Sequence, residues 1–471
     1  FTQAVPEEIL ELRYNVSKNE YLILSKSGIF LLDQNHKFSK VFSGNDLTAF
    51  TMADKDRKII VGTTNGYFTL DAQSYQLIGA IQTRLPVTYI TAVEEIDGQL
   101  WFGTNQGAFK LKADTKYDYY YGERWIPNNL VKQIKSGPDQ SVLILTSAGV
   151  GQIVFKSMTL ADKADFFEQQ VRSRNIRNGF NATRRGMVKG DISTGYLEDS
   201  DNDGLWTTMY LGAEVFKYAV TKDTATLAYC KESLDAMERL YDITPVPGFP
   251  ARSFERSGHI PELGDPERWQ HSASKEWDWK STTSSDEVIG HVFVFGAMAE
   301  LIEEPSIKAR AITLIDTLMS HIVKNDLYLI DFDGKPTLWG KWNPSYVNSF
   351  PTNVGDRKLN SSNIIGMLQT AYHFTKKEKY KEKAFELMNK HGYLENLMRP
   401  MKTIGQAPED ADDHSKHMSD SWNHSDDEMY FLGYWGLYKY AFNDTLQAKY
   451  KESILDHWEA ERPEKDGLWN L

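Results

Sequence analysis

Cysteine is nearly absent from this 471-residue sequence, and the single Cys230 excludes an internal disulfide framework and any thiolate metal cluster. Basic charge is in deficit too, with 53 Lys and Arg against 65 Asp and Glu, a formal net charge of -12. That balance argues against a nucleic-acid partner, because a phosphate-backbone binder needs clustered Lys and Arg, although a local basic pocket stays open. No stretch approaches the roughly 18 uninterrupted apolar residues of a membrane-crossing helix, so no transmembrane segment is expected. Glycine-rich phosphate loops and the H-E-x-x-H and G-x-S-x-G motifs are missing as well. Aromatic residues are plentiful: 12 Trp, 24 Tyr and 23 Phe make up 13% of the chain, which excludes a disordered class. At about 150 residues per domain the length predicts two or three domains. The chain begins at Phe1 and stops directly after an amphipathic helix, which reads as material missing from its ends.

The first third repeats itself. YLILSKSGIFLLD (21–33), KIIVGTTNGYFTLD (58–71), QLWFGTNQGAFKLK (99–112) and SVLILTSAGVGQIVF (141–155) are each a short strand, a polar turn closed by glycine, and another short strand. Gly28, Gly66, Gly107 and Gly149 are spaced 38, 41 and 42 residues apart. This is the period of a propeller blade, so residues 1–157 are expected to form a partial β-propeller of about four units. After residue 157 the pattern changes to period 3.6. Four copies of an apolar, glycine-containing helix followed by an amphipathic helix cover 205–240, 288–323, 364–390 and 430–458. In the second copy Ile307, Ala311, Leu314, Leu318 and Ile322 form one stripe, as on an outer helix covering an inner one. The expected fold class is therefore multidomain α and β, a propeller followed over 158–471 by an incomplete (α/α) toroid. The long connections into the inner helices, on the order of forty residues, are where function is expected.

Those connections end in GYLEDSDNDGLWTTMY (195–210), KEWDWKSTTSSDEVIGH (275–291), PTNVGDRKLNSSNIIG (351–366) and MSDSWNHSDDEMY (418–430). Ser284 with Glu287, and Ser425 with Glu428, match a capping box, and Ser361 or Asn360 is placed to cap the third inner helix. Their neighbours Asp286, Asn363, Asn423 and His424 are freer to face a ligand. Asp199, Asp201 and Asp203 open like a calcium loop, although Tyr210 occupies the position where an EF-hand has Glu; calcium and an acidic helix-start turn are both open. Arg184, Arg185, Arg252, Arg256, Arg357 and Arg399 fall in the same loops and as a group favour an anionic ligand. Trp206, Trp269, Trp277, Trp279, Trp339, Trp342 and Trp422 add stacking surfaces or core. His291, His424, Tyr210, Tyr346 and Tyr430 are the titratable residues nearest the expected mouth.

The run DSDNDGLWTTMYLGAEVFKYAV, with GFPARSFERSG, EWDWKSTTSSDE, GDRKLNSSNI and WNHSDDEMYFLGYWGLYKYAF, resembles the bacterial L-rhamnose-α-1,4-D-glucuronate lyases of polysaccharide lyase family 27, over roughly 175–465. The resemblance implies a periplasmic or extracellular enzyme acting on a uronate-containing glycan, releasing rhamnose that caps glucuronate on arabinogalactan. β-Elimination needs a partner for the uronate carboxylate, a base for the C5 proton and an acid for the leaving oxygen. Arg252, Arg256, Arg357, Arg399, Asn363 and Asn423 are the candidates for carboxylate binding, with Trp279 and Trp422 as stacking surfaces. His291, His424 or Tyr210 would transfer protons. Two other readings stand beside it: an inverting glycoside hydrolase on the same toroid, its carboxyls drawn from Asp203, Asp286 and Asp427, and a carbohydrate-binding or sensory module without chemistry.

Overall fold

The structure is a computed structural model describing residues 7–462, except Ser17, Thr115, Lys189, Ser200 and Trp422. The chain divides into two compact units, Phe1–Thr159 and Leu160–Leu471. The first is built of antiparallel sheets in chain order: β1 (Ile9–Asn15) to β4 (Phe38–Ser43) with β2 (Glu20–Ser25) and β3 (Gly28–Leu32) between; β5 (Leu47–Ala53), β6 (Lys58–Thr63), β7 (Gly66–Asp71) and β8 (Leu77–Gln82); β9 (Ile90–Ile96), β10 (Gln99–Thr104), β11 (Gly107–Leu111) and β12 (Tyr117–Tyr120); and the three-stranded β13 (Val131–Ser136), β14 (Val142–Thr146) and β15 (Val150–Ile153).

Cores lie between successive sheets. Ile59 and Val61 of β6 pack with Leu22, Leu24 and Ile29 of the preceding sheet, whereas Ile60 packs with Ile90, Val93 and Phe102 of the following one. Alternation along β6 thus buries both faces, which explains its continuous apolar run. The repeated turn has one chemistry. A hydroxyl at the end of one strand donates to the carbonyl of the glycine at or just before the start of the next: Thr63 to Gly66 (2.9 Å), Thr104 to Gly107 (2.7 Å) and Thr146 to Gly149 (2.9 Å). Gly66 and Gly107 have φ of 102° and 98°, and a Cβ would lie 2.2 Å from the Gln82 oxygen or 2.5 Å from the Tyr120 oxygen, so only glycine serves there.

The second unit opens with α1 (Leu160–Arg174), followed by α2 (Asp203–Thr221) paired with α3 (Thr224–Asp242) and α4 (Ser285–Leu301) paired with α5 (Pro305–Lys324). After the short α6 (Pro344–Val347) come α7 (Gly355–Thr375) and α8 (Glu378–Lys390); after α9 (Tyr393–Leu397) and α10 (Asp413–Ser419) come α11 (His424–Lys439) and α12 (Asp444–Glu461). The first helices of the four pairs pack on one another, α2 on α4, α4 on α7 and α11, and α7 on α11. Each of α3, α5, α8 and α12 packs on its own partner. The predicted stripe Ile307, Ala311, Leu314, Leu318 and Ile322 is wholly buried.

The inner helices start earlier than their apolar runs suggest, and this corrects the capping assignments. Asn423, rather than Ser425, caps α11 by accepting from the Ser425 amide. Ser284 precedes α4, but its hydroxyl donates to Asp286 rather than capping the helix. Asn360 and Ser361 lie inside α7, with Val354 at its cap position. Glu287 is fully buried and Glu428 nearly so, so neither works as an exposed capping-box acid. The polar segments expected to lead into the helices are instead their first turns.

Glycine lets α7 and α11 approach closely. A Cβ at Gly366 would sit 2.8 Å from the Gly433 carbonyl oxygen, and one at Gly436 would sit 2.9 Å from the Gly366 oxygen. Backbone cannot yield as a side chain can. Gly366→Ala is therefore expected to lower stability by about 1–3 kcal/mol through overpacking, read as a shift of the denaturant midpoint at unchanged slope; an unchanged midpoint would show that the helix pair has slack.

Candidate active site

The first turns of α4, α7 and α11 bring three aspartates to one cavity of about 250 Å³, lined by Asp286, Asp356 and Asp426 with Asn423, Trp339 and Tyr346. A second cavity of about 250 Å³ shares Asp356, Asn423 and Asp426. Asp286 and Asp356 are the second residues of their helices and Asp426 is the third, so the same turn of three repeats supplies them.

Helix N-termini ordinarily favour ionised carboxylates. Here burial and mutual repulsion win. Asp426 is pushed up to about 8, by loss of water and then by the charges of Asp356, Asp427 and Asp286, while the Asn423 amide donating to it (3.0 Å) acts the other way. Burial raises Asp356 to about 6. Asp286 is also raised by burial, against the pull of the Arg252 guanidinium. Glu428, on α11, is raised to about 7 by burial and by Asp286. Around neutral pH this cluster holds both protonated and ionised carboxyls, the requirement for simultaneous acid and base catalysis.

The predicted proton-transfer residues lie elsewhere or deeper. His291 is fully buried: its Nδ1 meets the Tyr241 hydroxyl at 2.7 Å, its Nε2 lies 3.5 Å from Glu287, and burial pulls it down to about 3. Tyr210 is buried beside Arg172 and Glu214, its pKa pushed up by burial and then by Glu214. His424 is half-buried, 3.2 Å from Asp427, itself buried and bonded to His457 at 3.0 Å. His424, Asp427 and Glu461 place ligand atoms within 4.8 Å of one another and form, among the described residues, the group that could hold a metal ion.

The arginine cluster does not assemble. Arg252 does line the cavity, with its guanidinium donating to the Thr282 carbonyl (2.6 Å), the Asn202 side chain (2.8 Å) and the Asp201 carbonyl. Arg357 braces the loop before α7 through the carbonyls of Asn348 (3.1 Å) and Phe350 (2.7 Å) and through Asn396 (3.0 Å). Arg399 pairs with Glu395 at 3.0 Å. Arg256 stacks on Trp277, away from the aspartates. Asn363 is buried where a Cβ on Gly433 would come within 2.5 Å of its oxygen, and so belongs to the α7–α11 contact. Trp279 is core, edge-on to Phe249 and Phe332. Trp422 lies outside the described residues. Of the residues expected to bind a carboxylate, Arg252 and Asn423 line the cavity.

The aspartates expected to hold calcium meet cations of the protein itself. Lys280 lies 3.4 Å from Asp199 and 2.8 Å from Asp201, Arg268 also pairs with Asp201 (3.0 Å), and Asp203 pairs with Arg177. An ammonium group thus takes the place between Asp199 and Asp201, and the donor set does not fit calcium. Asp203 and Asp427, offered for a hydrolytic pair, are both fully buried in ion pairs; Asp286 alone of that set reaches the cavity. Asp356 and Asp426 were missed, and the recurrence of an aspartate in the first turn of each of these inner helices was the available signal.

No family model matches the chain, and no curated protein matches it. Among solved structures it is similar to the extracellular domain of a one component system of B. thetaiotaomicron, at 14% identity over 32% of this chain and 22% of that one, with a TM-score of 0.28. A hybrid two component system domain of the same organism gives 16% identity, 30% and 21% coverage and a TM-score of 0.27. A gluconolactonase of Xanthomonas campestris gives 9% identity, 32% and 58% coverage and a TM-score of 0.27. The chain thus spans about a fifth of the first two and somewhat over half of the third, and likeness this slight carries no argument about the site.

A raised carboxyl has a thermodynamic signature. Folding lifts Asp426 from its ordinary value of 3.8 to about 8, so across that interval the folded chain holds more protons than the unfolded one, and stability falls as pH rises through it. The melting temperature is expected to drop between pH 5 and pH 8, and Asp426→Asn, which keeps shape without charge, should flatten the drop. Equal slopes in the two proteins would refute the shift.

Proposed function

We propose that the chain is a carbohydrate-active enzyme that cleaves a glycosidic bond by hydrolysis, with Asp426 as general acid and Asp356 as general base. The observation that carries this reading is the siting of Asp426 among Asp356, Asp427 and Asp286, whose charges help to keep it protonated at neutral pH while Asp356 is ionised. Asp356 takes a proton from water, the water oxygen bonds to the anomeric carbon, and Asp426 gives its proton to the departing oxygen. Trp339 and Tyr346 on the cavity wall supply faces against which a sugar ring can pack. The meanders and paired helices are consistent with a propeller and an (α/α) toroid, the architecture implied by the resemblance, and a periplasmic or extracellular location belongs to the same proposal. No described helix is long and apolar enough to cross a membrane.

β-Elimination at a uronate is the second reading, favoured by Arg252 on the same wall. Hydrolysis is preferred because Arg252 shares the cavity with three carboxyls, Asp286, Asp356 and Asp426, which supply an acid and a base, while the other three arginines expected to bind a carboxylate are turned away.

Incubation with rhamnose-capped arabinogalactan separates the readings. Hydrolysis releases rhamnose without an ultraviolet-absorbing 4,5-unsaturated uronate; the chromophore would transfer the site to the lyase reading, and no release from a panel of glycans would remove both. The rate should rise through about pH 6 as Asp356 ionises and fall through about pH 8 as Asp426 loses its proton. Asp426→Asn should lower kcat by about 10²–10⁴ with little change in KM.

A further inference from the structure

A cavity of about 690 Å³ in the second unit lies apart from the three aspartates and is lined by Arg239, Arg256, Trp277 and Asn178, with Glu232 and Asp235. Its charge balance is unusual for a chain of net charge -12. Three of the acids on and around it are paired with other cations: Glu232 with Arg172 at 2.6 Å, Asp235 with Arg310 and Lys231 at 2.7 Å, and Glu255 with Arg177 at 2.5 Å, while Asp242, one turn along α3, interacts with Arg239 at longer range. Among the described residues neither Arg239 nor Arg256 has a carboxylate within ion-pair distance. Both instead lie over Trp277, with guanidinium carbons 3.9 Å (Arg256) and 4.7 Å (Arg239) from the ring centroid.

Stacking holds a guanidinium by its face and leaves the N–H groups in its plane for another partner. Arg256 is fixed further because it is the cross-strand partner of Trp277 in the antiparallel pair Ser253–Arg256 and Trp277–Lys280. Arg239 projects from α3 and also covers Phe254, at 5.1 Å. Two guanidinium groups, neither of them in a salt bridge, therefore line one cavity of ligand size.

We propose that this cavity is a binding site for a small organic carboxylate of about one or two sugar rings, gripped by Arg239 and Arg256. It is separate from the aspartate cavity and does not depend on the hydrolytic reading. A planar carboxylate matches the guanidinium fork, and a neutral sugar of the same size leaves both charges unanswered.

Calorimetric titration of the full chain with D-glucuronate, D-glucose and inorganic phosphate tests this. Glucuronate should bind and glucose should not. Arg256→Gln and Arg239→Gln should each weaken binding by about tenfold or more, and Asp426→Asn should leave it unchanged. Arg256 is exposed, so Arg256→Gln remains interpretable if the Arg239 variant loses its fold, as judged by circular dichroism. The site is overturned if the wild type does not bind glucuronate, if both arginine variants bind as the wild type does, or if Asp426→Asn abolishes binding. Phosphate bound as tightly as glucuronate would overturn the carboxylate assignment.

Discussion

The approach of α7 to α11 is the constraint on which the aspartate site depends. Where Gly366 faces the Gly433 carbonyl and Gly436 faces Gly366, the helix backbones approach directly, flanked by the side chains of Thr370 and Asn363. Gln369 reinforces the seam by donating to the carbonyls of Gly436 (3.2 Å) and Leu437 (2.8 Å). At its upper end the Tyr430 hydroxyl donates to the Gly355 carbonyl at 3.0 Å, tying the first turn of α7 to α11. Asp356 and Asp426 leave these two turns and cannot spread apart to relieve their repulsion. Packing free energy from the helix pair thus offsets an electrostatic cost at its end, and that cost keeps one carboxyl protonated at neutral pH.

Behind the cavity the same helices carry a second acid with a different task. Next to Asp286 is Glu287, fully buried against His291, whose other nitrogen meets Tyr241. Next to Asp426 is Asp427, fully buried against His457, whose other nitrogen meets the Tyr434 hydroxyl at 2.8 Å. Consecutive helical residues point about 100° apart, so an acidic pair in a first turn sends one carboxyl forward and one back. Of the two histidines singled out from the sequence, His291 belongs to the first network and His424 reaches Asp427 of the second from its half-buried side, whereas His457 was not singled out. His291 and His457 fix the turns that present the aspartates, a positioning role within the fold.

Much of the architecture was legible. The turn glycines with the hydroxyl three residues before them, the stripe on α5 and the four helix pairs follow from local periodicity, which the backbone obeys without reference to distant sequence. Helix starts were less legible, because Gly355, Asp356 and Ser285 give no apolar signal and the first turns look like loop. The sequence therefore points to Ser361 or Asn360 as the cap of the third inner helix, five or more residues beyond its actual start at Gly355, which leaves Asp356 outside the helix. The arginines failed for another reason. Arg357 lies in the first turn of α7 beside Asp356, and Arg399 in the connection after α9, but a side chain of that length reaches carbonyls or carboxylates in several directions, and composition cannot say which. Lys280 illustrates the same point: only three-dimensional placement puts its ammonium between Asp199 and Asp201, where the sequence spacing invites a metal ion.

Arg252 and Arg256 show how register decides chemistry. They are four residues apart, but Arg256 lies in the strand Ser253–Arg256 paired with Trp277–Lys280, and Arg252 lies just before it. Alternation in the strand puts Phe254 and Arg256 on one face, where Phe254 meets the Trp277 ring edge-on at 5.1 Å and the arginine stacks over it. Arg252 instead turns towards Asn202 and Thr282, beside the first turns of α2 and α4. A single hairpin thus divides one arginine-rich motif between two cavities, one lined by aspartates and one lined by arginines that make no salt bridge. A register slip of one residue would send Arg256 to the opposite face and leave Trp277 without its cation, so the Phe254–Trp279 and Arg256–Trp277 cross-strand pairs that fix the register also fix which cavity can take an anion.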